Sequence, residues 1–300
     1  MYVVLGASGN TGHVVAKNLL ARQKEVRVVG RTAAHLQPFA SQGAETFIGD
    51  VTDVSALTKT LLQADSAYVM IPPNLTSKDP RGYQERVSDS IAAAVKNAGV
   101  KNVVALSSIG ADKASGTGPV IGLHNLEQKL SQIDSANVLF LRAGYFMENT
   151  LAQVAVIRMM GSSAGPLRPD LKVPMIATRD IGAAAADALL QLAFHGKQTQ
   201  ELHGQRDLNY KEVAIIIGGA IGKPGLNYVR PPDDQIVQAM TSMGMSKNFA
   251  ELILEMANAL NRGHVKMLEP RSAKNTTPTS YETFAREVFL PAYKGQAAGA

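Results

Sequence analysis

Cysteine is absent from this chain of 300 residues. Its absence excludes a disulfide scaffold, a thiolate metal site and a thiol nucleophile. Apolar runs are short as well, and none approaches the ~18 residues that a membrane-spanning helix requires. The first residues lead directly into a turn and lack the basic and long apolar regions of a signal peptide. We therefore expect a cytoplasmic protein that has no membrane segment.

Blocks of one charge are also missing. The 30 basic residues are scattered along the chain, and the formal net charge is only +5. No run of lysine and arginine alternates with aromatic residues, so the pattern does not indicate a nucleic-acid surface. A modest basic excess suits an anionic small ligand. Five of the histidines show no recurrent spacing, and we predict no metal site. They are His13, His35, His195, His203 and His264.

The first half of the chain alternates short apolar runs with longer helical patterns. Six runs are apolar on both faces, which is typical of parallel strands covered by helices on both sides. They are Val3–Leu5, Val26–Val29, Thr46–Ile48, Ala67–Ile71, Val103–Leu106 and Val138–Leu141. The helical patterns between them are Thr11–Arg22, Val54–Gln63, Tyr83–Ala98 and His124–Ile133. This alternation predicts an α/β fold, namely a Rossmann-type doubly wound parallel sheet.

The second half of the chain is less regular. We predict a dinucleotide-binding domain over residues 1–150 and a smaller α-rich substrate lobe over residues 151–300, with some segments returning to the first domain. Thr178 is predicted to be a helix N-cap, and capping-box spacings predict two further helix starts at Asn209 and Thr279. The segment Asp233–Leu260 combines several methionines with helix formers. Those methionines either fill a core or form a pliable wall of a substrate pocket.

A glycine-rich loop connects the first predicted strand with the first predicted helix. Glycines allow a tight turn and a close approach of backbone to phosphate, and the positive end of the following helix then faces the anion. The third glycine lets helix and strand pack closely. Because of this context, the loop predicts a pyrophosphate site rather than an unliganded tight turn. Its residues are Gly6, Ala7, Ser8, Gly9, Asn10, Thr11 and Gly12.

The end of the second strand indicates which dinucleotide binds. Sites that prefer NAD commonly have an acidic residue there, but this chain has Arg31 and Thr32. Arg31 could pair with a 2′-phosphate, with Thr32 adding a hydroxyl, so we predict NADP(H) in preference to NAD(H). The alternative is that Arg31 is a solvated loop residue. Asp50 either accepts from the adenine, with Val51 covering the ring, or simply begins a turn.

Further segments carry a family pattern. They are Gly30-Arg31, Gly49-Asp50-Val51, Ser107–Ala111, Arg142–Asn149, Ile176–Gly182 and Thr276–Phe284. Together with the glycine loop they resemble the NmrA-like group of atypical short-chain dehydrogenases/reductases, and the resemblance covers nearly the whole chain. The group contains quinone, triphenylmethane and azo-dye reductases, and also NADP-sensing regulators without enzymatic activity. The resemblance therefore implies the fold and the cofactor more strongly than the reaction.

The resemblance also implies roles for residues that follow the carboxyl ends of the strands, where ligands of such sheets bind. The residues implied to lie beside the nicotinamide are Ile71, Pro72, Pro73, Ser107 and Ser108. Those implied to line the substrate pocket, with Tyr145, are Ile109, Gly144 and Phe146. For Phe146, packing in the core is an equal alternative.

The usual proton relay of short-chain dehydrogenases is missing. That relay is a tyrosine with a lysine at the fourth following position, and none of the eight tyrosines here is followed by lysine in this way. If Glu127 and Leu130 are aligned with the family, the positions of the tyrosine and the lysine are occupied by Pro119 and Leu123. Hydride transfer to a conjugated acceptor needs no such pair, because the resulting charge is delocalised. His124 is the first candidate for proton donor, with Tyr145 beside the substrate. The alternative is that His124 is a locally bonded residue at a helix start.

Two functions follow from these observations. The first is an NADPH-dependent reductase, an oxidoreductase that transfers hydride to a quinone-like, azo or other conjugated organic acceptor. The alternative is a non-catalytic NADP(H) sensor that acts through a protein partner. A homodimer is possible with either function. The missing Tyr/Lys pair favours the sensor, whereas a second lobe large enough to cover a pocket favours the reductase.

Overall fold

The computed structural model describes residues 1–296; the segment Ala297–Ala300, for which the composition predicts a frayed end, lies outside the described residues. The strands are β1 (Tyr2–Leu5), β2 (Val26–Gly30), β3 (Glu45–Ile48), β4 (Ser66–Val69), β5 (Asn102–Ser108), β6 (Asn137–Ala143), β7 (Tyr145–Phe146), β8 (Ser163–Ala164), β9 (Val173–Ile176), β10 (Lys197–Leu202), β11 (Arg206–Leu208) and β12 (Tyr228–Val229). The helices are α1 (Asn10–Ala21), α2 (Ala33–Ala40), α3 (Val54–Leu61), α4 (Pro80–Ala98), α5 (Val120–Ser131), α6 (Gln153–Met160), α7 (Thr178–Gln191), α8 (Tyr210–Ile221), α9 (Asp233–Ser242), α10 (Lys247–Asn261), α11 (Tyr281–Phe284) and α12 (Leu290–Lys294). A 3₁₀ turn (Met147–Ala152) precedes α6, and a π turn (Ala285–Phe289) joins α11 to α12.

A seven-stranded parallel sheet forms the centre of the molecule, with strand order β10-β6-β5-β4-β1-β2-β3. One face packs against α3, α4 and α5, and the other against α1, α2 and α7. Val3, Leu5 and Val103 face the first layer, while Val4 and Val104 face the second. The predicted doubly wound α/β fold is therefore confirmed, and the uniform apolarity of the strands follows from burial on both faces.

Two elements of this domain are absent from the prediction. Helix α2 contains Pro38, which is usually read as a helix breaker. Strand β10 reads Lys-Gln-Thr-Gln-Glu-Leu and lies at the edge of the sheet, where a polar strand pairs with one neighbour only. Helix α7 and strand β10 both come from the second half of the chain. The first domain therefore contains segments from both sides of residue 150.

The second lobe surrounds a separate apolar core with two small sheets, β11-β9-β7 and β12-β8, and with α8 and α10 to α12. The predicted capping box is confirmed at Asn209, which accepts from the amide of Glu212. The predicted N-cap at Thr178 is wrong, since Thr178 is already the first helical residue. The predicted start at Thr279 is wrong by one residue, because Ser280 is the N-cap of α11.

No helix within residues 1–296 is long and apolar enough to cross a membrane.

Candidate functional site

The glycine loop lies at the carboxyl end of β1 and leads into α1. Gly6 has a φ of +66°, which favours glycine, and its carbonyl accepts from the amide of Gly9 at 2.9 Å. A Cβ on Gly12 would overlap that same carbonyl oxygen, so the third glycine allows the close helix–strand packing. No side chain caps α1 at Gly9. An exposed cradle at an uncapped helix N-terminus fits a diphosphate.

The carboxyl ends of strands β2 and β3 lie beside this loop. Arg31, Thr32 and Asp50 are exposed, whereas Val51 is buried. Asp50 accepts hydrogen bonds from the amide and hydroxyl of Thr52, both at 2.9 Å, and so begins a turn. A contact of Asp50 with the adenine stays a prediction. Burial raises the pKa of Tyr83 on α4, the nearby charge of Arg31 lowers it, and that of Asp50 raises it again. Tyr83 therefore lies close to both charged residues.

A cavity of about 560 Å³ continues from the glycine loop across the carboxyl ends of β4, β5 and β6. From the predicted site it collects Gly9, Asn10, Thr11, Ile71, Pro72, Pro73, Ser107, Ser108, Ile109, Gly144, Tyr145 and Phe146. The predicted residues that do not line it are Gly6, Ala7, Ser8, Gly12, Arg31, Thr32, Asp50, Val51 and His124. Apart from His124, these lie in the glycine loop or at the ends of β2 and β3, where the nucleotide end of a dinucleotide would lie.

His124 does not face the cavity. Its Nδ1 lies 2.8 Å from the carbonyl oxygen of Ala111, and the ring is half-buried on α5. The geometry thus supports the alternative of a locally bonded residue. The same helix turns Pro119 and Leu123 toward the cavity, so the two positions of the missing Tyr/Lys pair face the site with apolar side chains.

Ser107 is held by a buried ion pair behind the cavity. Its hydroxyl donates to Glu127 Oε1 at 2.5 Å, and Arg142 donates to both oxygens of Glu127 at 2.9 and 2.6 Å. These bonds to Glu127 raise the pKa of Arg142, so the guanidinium stays charged. Because the Ser107 proton is directed to Glu127, this side chain can offer the cavity an acceptor but no proton.

Tyr145 lines the same cavity with its phenol ring. The hydroxyl of Tyr210 donates to the Tyr145 oxygen at 3.2 Å, which leaves the Tyr145 proton free for another partner. Burial raises the pKa of both phenols, so both are neutral at physiological pH. Phe146 lines the cavity and also packs against the core of the large sheet, which combines the two interpretations of this residue.

Helix α10 forms the roof of the cavity, and the sequence analysis had given a pocket wall as one of two interpretations of this segment. Its lining residues are spaced as one face of a helix and are Phe249, Ile253, Met256 and Leu260. Ser246, at the start of α10, ties this roof to the loop after β4, through its amide to Leu75 O at 2.8 Å and its hydroxyl to Ser77 O at 2.6 Å. Met256 is thus part of a pocket wall, whereas Met243 is 55% exposed and fills no core.

Other lining residues were also missed, namely Met70, Asn74, Leu75, Tyr83, Gln84, Leu106, Val120, Glu148, Asn149 and Val265. Glu148 and Asn149 end the segment Arg142–Asn149 of the family pattern. That pattern was the one signal that could have assigned them.

Comparison with known proteins adds the family to this geometry. The model of the NmrA-like family matches residues 2–286. The chain belongs to the NmrA-like family. This NmrA-like protein is 31% identical over 258 residues to an NAD(P)H azoreductase of Xenophilus azovorans, covering 85% of this chain and 86% of that one.

Two solved structures share the fold of this NmrA-like protein. The NADPH-dependent quinone oxidoreductase of Escherichia coli, complexed with NADPH, superposes with a TM-score of 0.80 at 23% identity, covering 96% of this chain and 100% of that one. The triphenylmethane reductase of Citrobacter sp. superposes with a TM-score of 0.78 at 18% identity, covering 96% and 99%. At these identities the superpositions show the fold.

Proposed function

We propose that this NmrA-like protein is an NADPH-dependent reductase that transfers hydride to quinone-like, azo or other conjugated organic acceptors. The observation that carries the proposal is the cavity of about 560 Å³, which begins at the glycine loop and ends under an apolar roof. A site that size can enclose an aromatic acceptor beside a nicotinamide. The names of the azoreductase and of the two structural neighbours support the same class of reaction.

The residues present fit NADPH. Backbone amides of the glycine loop and the uncapped start of α1 would hold the pyrophosphate, and Arg31 would pair with the 2′-phosphate. Ser107 would accept from a donor on the nicotinamide side, since its own proton is bonded to Glu127. When bound, the cofactor supplies a hydride to the acceptor.

The protein's own contribution is to hold the acceptor in a dry, apolar pocket. Leu123 and the α10 roof would exclude water and orient a planar ring system, and Tyr145 would donate a hydrogen bond to an oxygen or nitrogen of that ring. A Tyr/Lys pair is not needed, because a conjugated acceptor spreads the charge that it gains. A simple ketone has no conjugated system over which this charge could spread.

Steady-state oxidation of NADPH with matched acceptors tests the proposal. We expect turnover with quinones, azo dyes and enones, and far slower turnover with the saturated ketone that corresponds to each enone. Tight NADPH binding without turnover of any acceptor would overturn the proposal and favour the non-catalytic sensor. A homodimer or a regulatory partner stays a prediction, as does a cytoplasmic location; light scattering of the purified protein would test the first.

A further inference from the structure

We propose that Glu148 is the proton donor that neutralises the acceptor after hydride has been added. The inference rests on the proposed reductase function and names a residue for a role that neither His124 nor Ser107 can fill. His124 is turned toward Ala111, and the hydroxyl of Ser107 is bonded to Glu127.

The position of Glu148 allows direct contact with an acceptor. It lies in the 3₁₀ turn that follows β7, and its side chain lines the same cavity as Tyr145. Among the described lining residues, the ionisable side chains are Tyr83, Tyr145 and Glu148. The pKa values of the two phenols are raised by burial, so both hold their protons too firmly to release them near neutrality. The carboxyl group is therefore the one suited to proton transfer.

The surroundings of Glu148 suit both protonation states. Burial raises the pKa of the carboxyl, while hydrogen bonds from Thr178 act in the opposite direction. The amide of Thr178 lies 3.0 and 3.1 Å from the two carboxyl oxygens, and its hydroxyl lies 2.6 Å from Oε1. Thr178 is the first residue of α7, so the positive end of that helix also faces the group. Burial in the cavity thus favours the protonated form of Glu148, whereas the hydrogen bonds from Thr178 and the positive end of α7 favour its carboxylate form.

Other ionisable groups face Glu148 from the elements packed around it. Asp180 lies two residues further along α7, and its charge raises the pKa of Glu148. Tyr281 of α11 is close to both Glu148 and Tyr145, and burial keeps both phenols neutral. Asp180 is held in turn by the amide and hydroxyl of Thr279, at 2.9 and 2.6 Å. No cation is among these groups, so the carboxylate is stabilised by the hydrogen bonds from α7.

The proton step balances as follows. Hydride brings two electrons and one hydrogen to the acceptor, which leaves a negative charge on its oxygen or nitrogen. The O–H bond of Glu148 breaks, and a new O–H or N–H bond forms on the acceptor. Glu148 is then a carboxylate, which Thr178 and α7 stabilise, and water from the mouth of the cavity returns its proton. Tyr145 keeps its own proton and supplies a hydrogen bond, as neutral tyrosine and carboxylic acid donors do at an oxyanion site.

The pH dependence of kcat/KM tests this assignment. With wild-type protein we expect kcat/KM to fall as pH rises through the pKa of Glu148, because the donor must be protonated. Glu148→Gln should keep one side-chain oxygen that accepts from Thr178 but lose roughly 100-fold in kcat/KM at neutral pH, together with the alkaline decline. Thr178→Val removes the hydroxyl that favours the carboxylate and should move the decline to higher pH. Glu25→Gln, at an exposed carboxyl before β2, is the matched control.

Infrared spectra of the free protein give a readout that does not depend on turnover. In wild-type protein, a carbonyl band of one protonated carboxyl should persist to higher pH than the bands of ordinary carboxyls. This band should disappear in Glu148→Gln and persist to still higher pH in Thr178→Val. A wild-type alkaline decline retained by Glu148→Gln, or a band unaffected by that change, would overturn the inference. If Glu148→Gln does not fold, the shift in Thr178→Val decides. Absence of turnover in wild-type protein itself would overturn the proposed function, and the donor role with it.

Discussion

At the scale of single residues, Arg31 is the side chain that we predict to decide between the two nicotinamide cofactors. It is exposed at the end of β2, and this position has no carboxylate that could bind a ribose hydroxyl. We expect Arg31→Ala to weaken NADPH binding by about 10- to 100-fold, the value of a charge-assisted hydrogen bond, and to leave NADH binding nearly unchanged. Calorimetric titration of both cofactors measures the difference.

Arg31→Lys serves as the control, because it keeps the positive charge but removes the planar guanidinium group. It should recover part of the NADPH affinity, since a lysine attracts a phosphate but cannot bind it through two parallel hydrogen bonds. Equal losses for NADPH and NADH in Arg31→Ala would contradict the 2′-phosphate role, and no loss for either cofactor would show that Arg31 is a solvated loop residue.

Single residues were predictable where the demand on them is local. Gly6 and Gly12 are required by backbone geometry within one turn, so their spacing was sufficient. Glu148 is bonded to Thr178, 30 positions later in the chain, and no local spacing reveals such a contact. His124 failed to reach the cavity for the same reason, because its direction is set by the loop that carries Ala111.

At the scale of elements, we predict that helix α10 determines which acceptors fit. Phe249 lines the roof and is 6% exposed. We expect Phe249→Ala to enlarge the cavity and to lower kcat/KM for small quinones by about tenfold, while bulkier polycyclic acceptors lose little or gain. Kinetics over a size series of acceptors, at saturating NADPH, measures the shift.

The control for this change lies on the same helix. Glu251 is exposed on α10, and its ion pair with Lys247, at 3.8 Å, contributes little to stability. Glu251→Gln should therefore leave the size preference unchanged. If Phe249→Ala lowers kcat/KM equally for all acceptors, α10 supports the fold without selecting the substrate.

Elements were predictable where hydrophobic periodicity is strong and both faces are buried, as in β1 and α4. Helix α2 and strand β10 were missed because Pro38 and a polar edge sequence hide them, and tertiary pairing overrides both signals. Thr178 lost its predicted capping role to Glu148, a residue 30 positions earlier in the chain. A cap supplied from another element cannot be read from local sequence.

At the scale of the whole molecule, the segment that crosses from α10 to α11 ties the second lobe to the large sheet. Glu201 of β10 accepts from the amides of Leu268 and Glu269, both at 2.8 Å. His203 lies beneath this segment and is 4% exposed. Burial lowers its pKa from the ordinary value of 6.5, and the charge of Arg271 lowers it further. The folded protein therefore holds this imidazole in its neutral form.

Stability should fall as the solution becomes acidic. Below pH ~6.5 the unfolded chain binds a proton at His203 that the folded chain refuses, so the free energy of unfolding decreases with falling pH until the folded pKa is reached. We expect His203→Gln to remove this part of the dependence. Urea denaturation of both proteins at a series of pH values isolates the effect as a difference, and parallel pH profiles would contradict it.

The doubly wound parallel sheet and the family were predictable because they rest on many residues at once. The arrangement of the second lobe was less so, since α7 returns to pack on α1, with Gly182 against Thr11 and Val14. Because α7 packs on α1, its first residue, Thr178, reaches Glu148. Helix α7 therefore contacts both the helix that follows the glycine loop and a residue of the substrate cavity. Such long-range closure depends on packing that periodicity does not record.

Transfer of label from NADPH deuterated at the transferable position to an enone tests the central claim most directly. If the cavity under α10 places a conjugated acceptor beside the nicotinamide, mass spectrometry should find one deuterium at carbon in the saturated product and the solvent proton at the second position. A product without deuterium at carbon, or no product despite bound cofactor, would contradict the account.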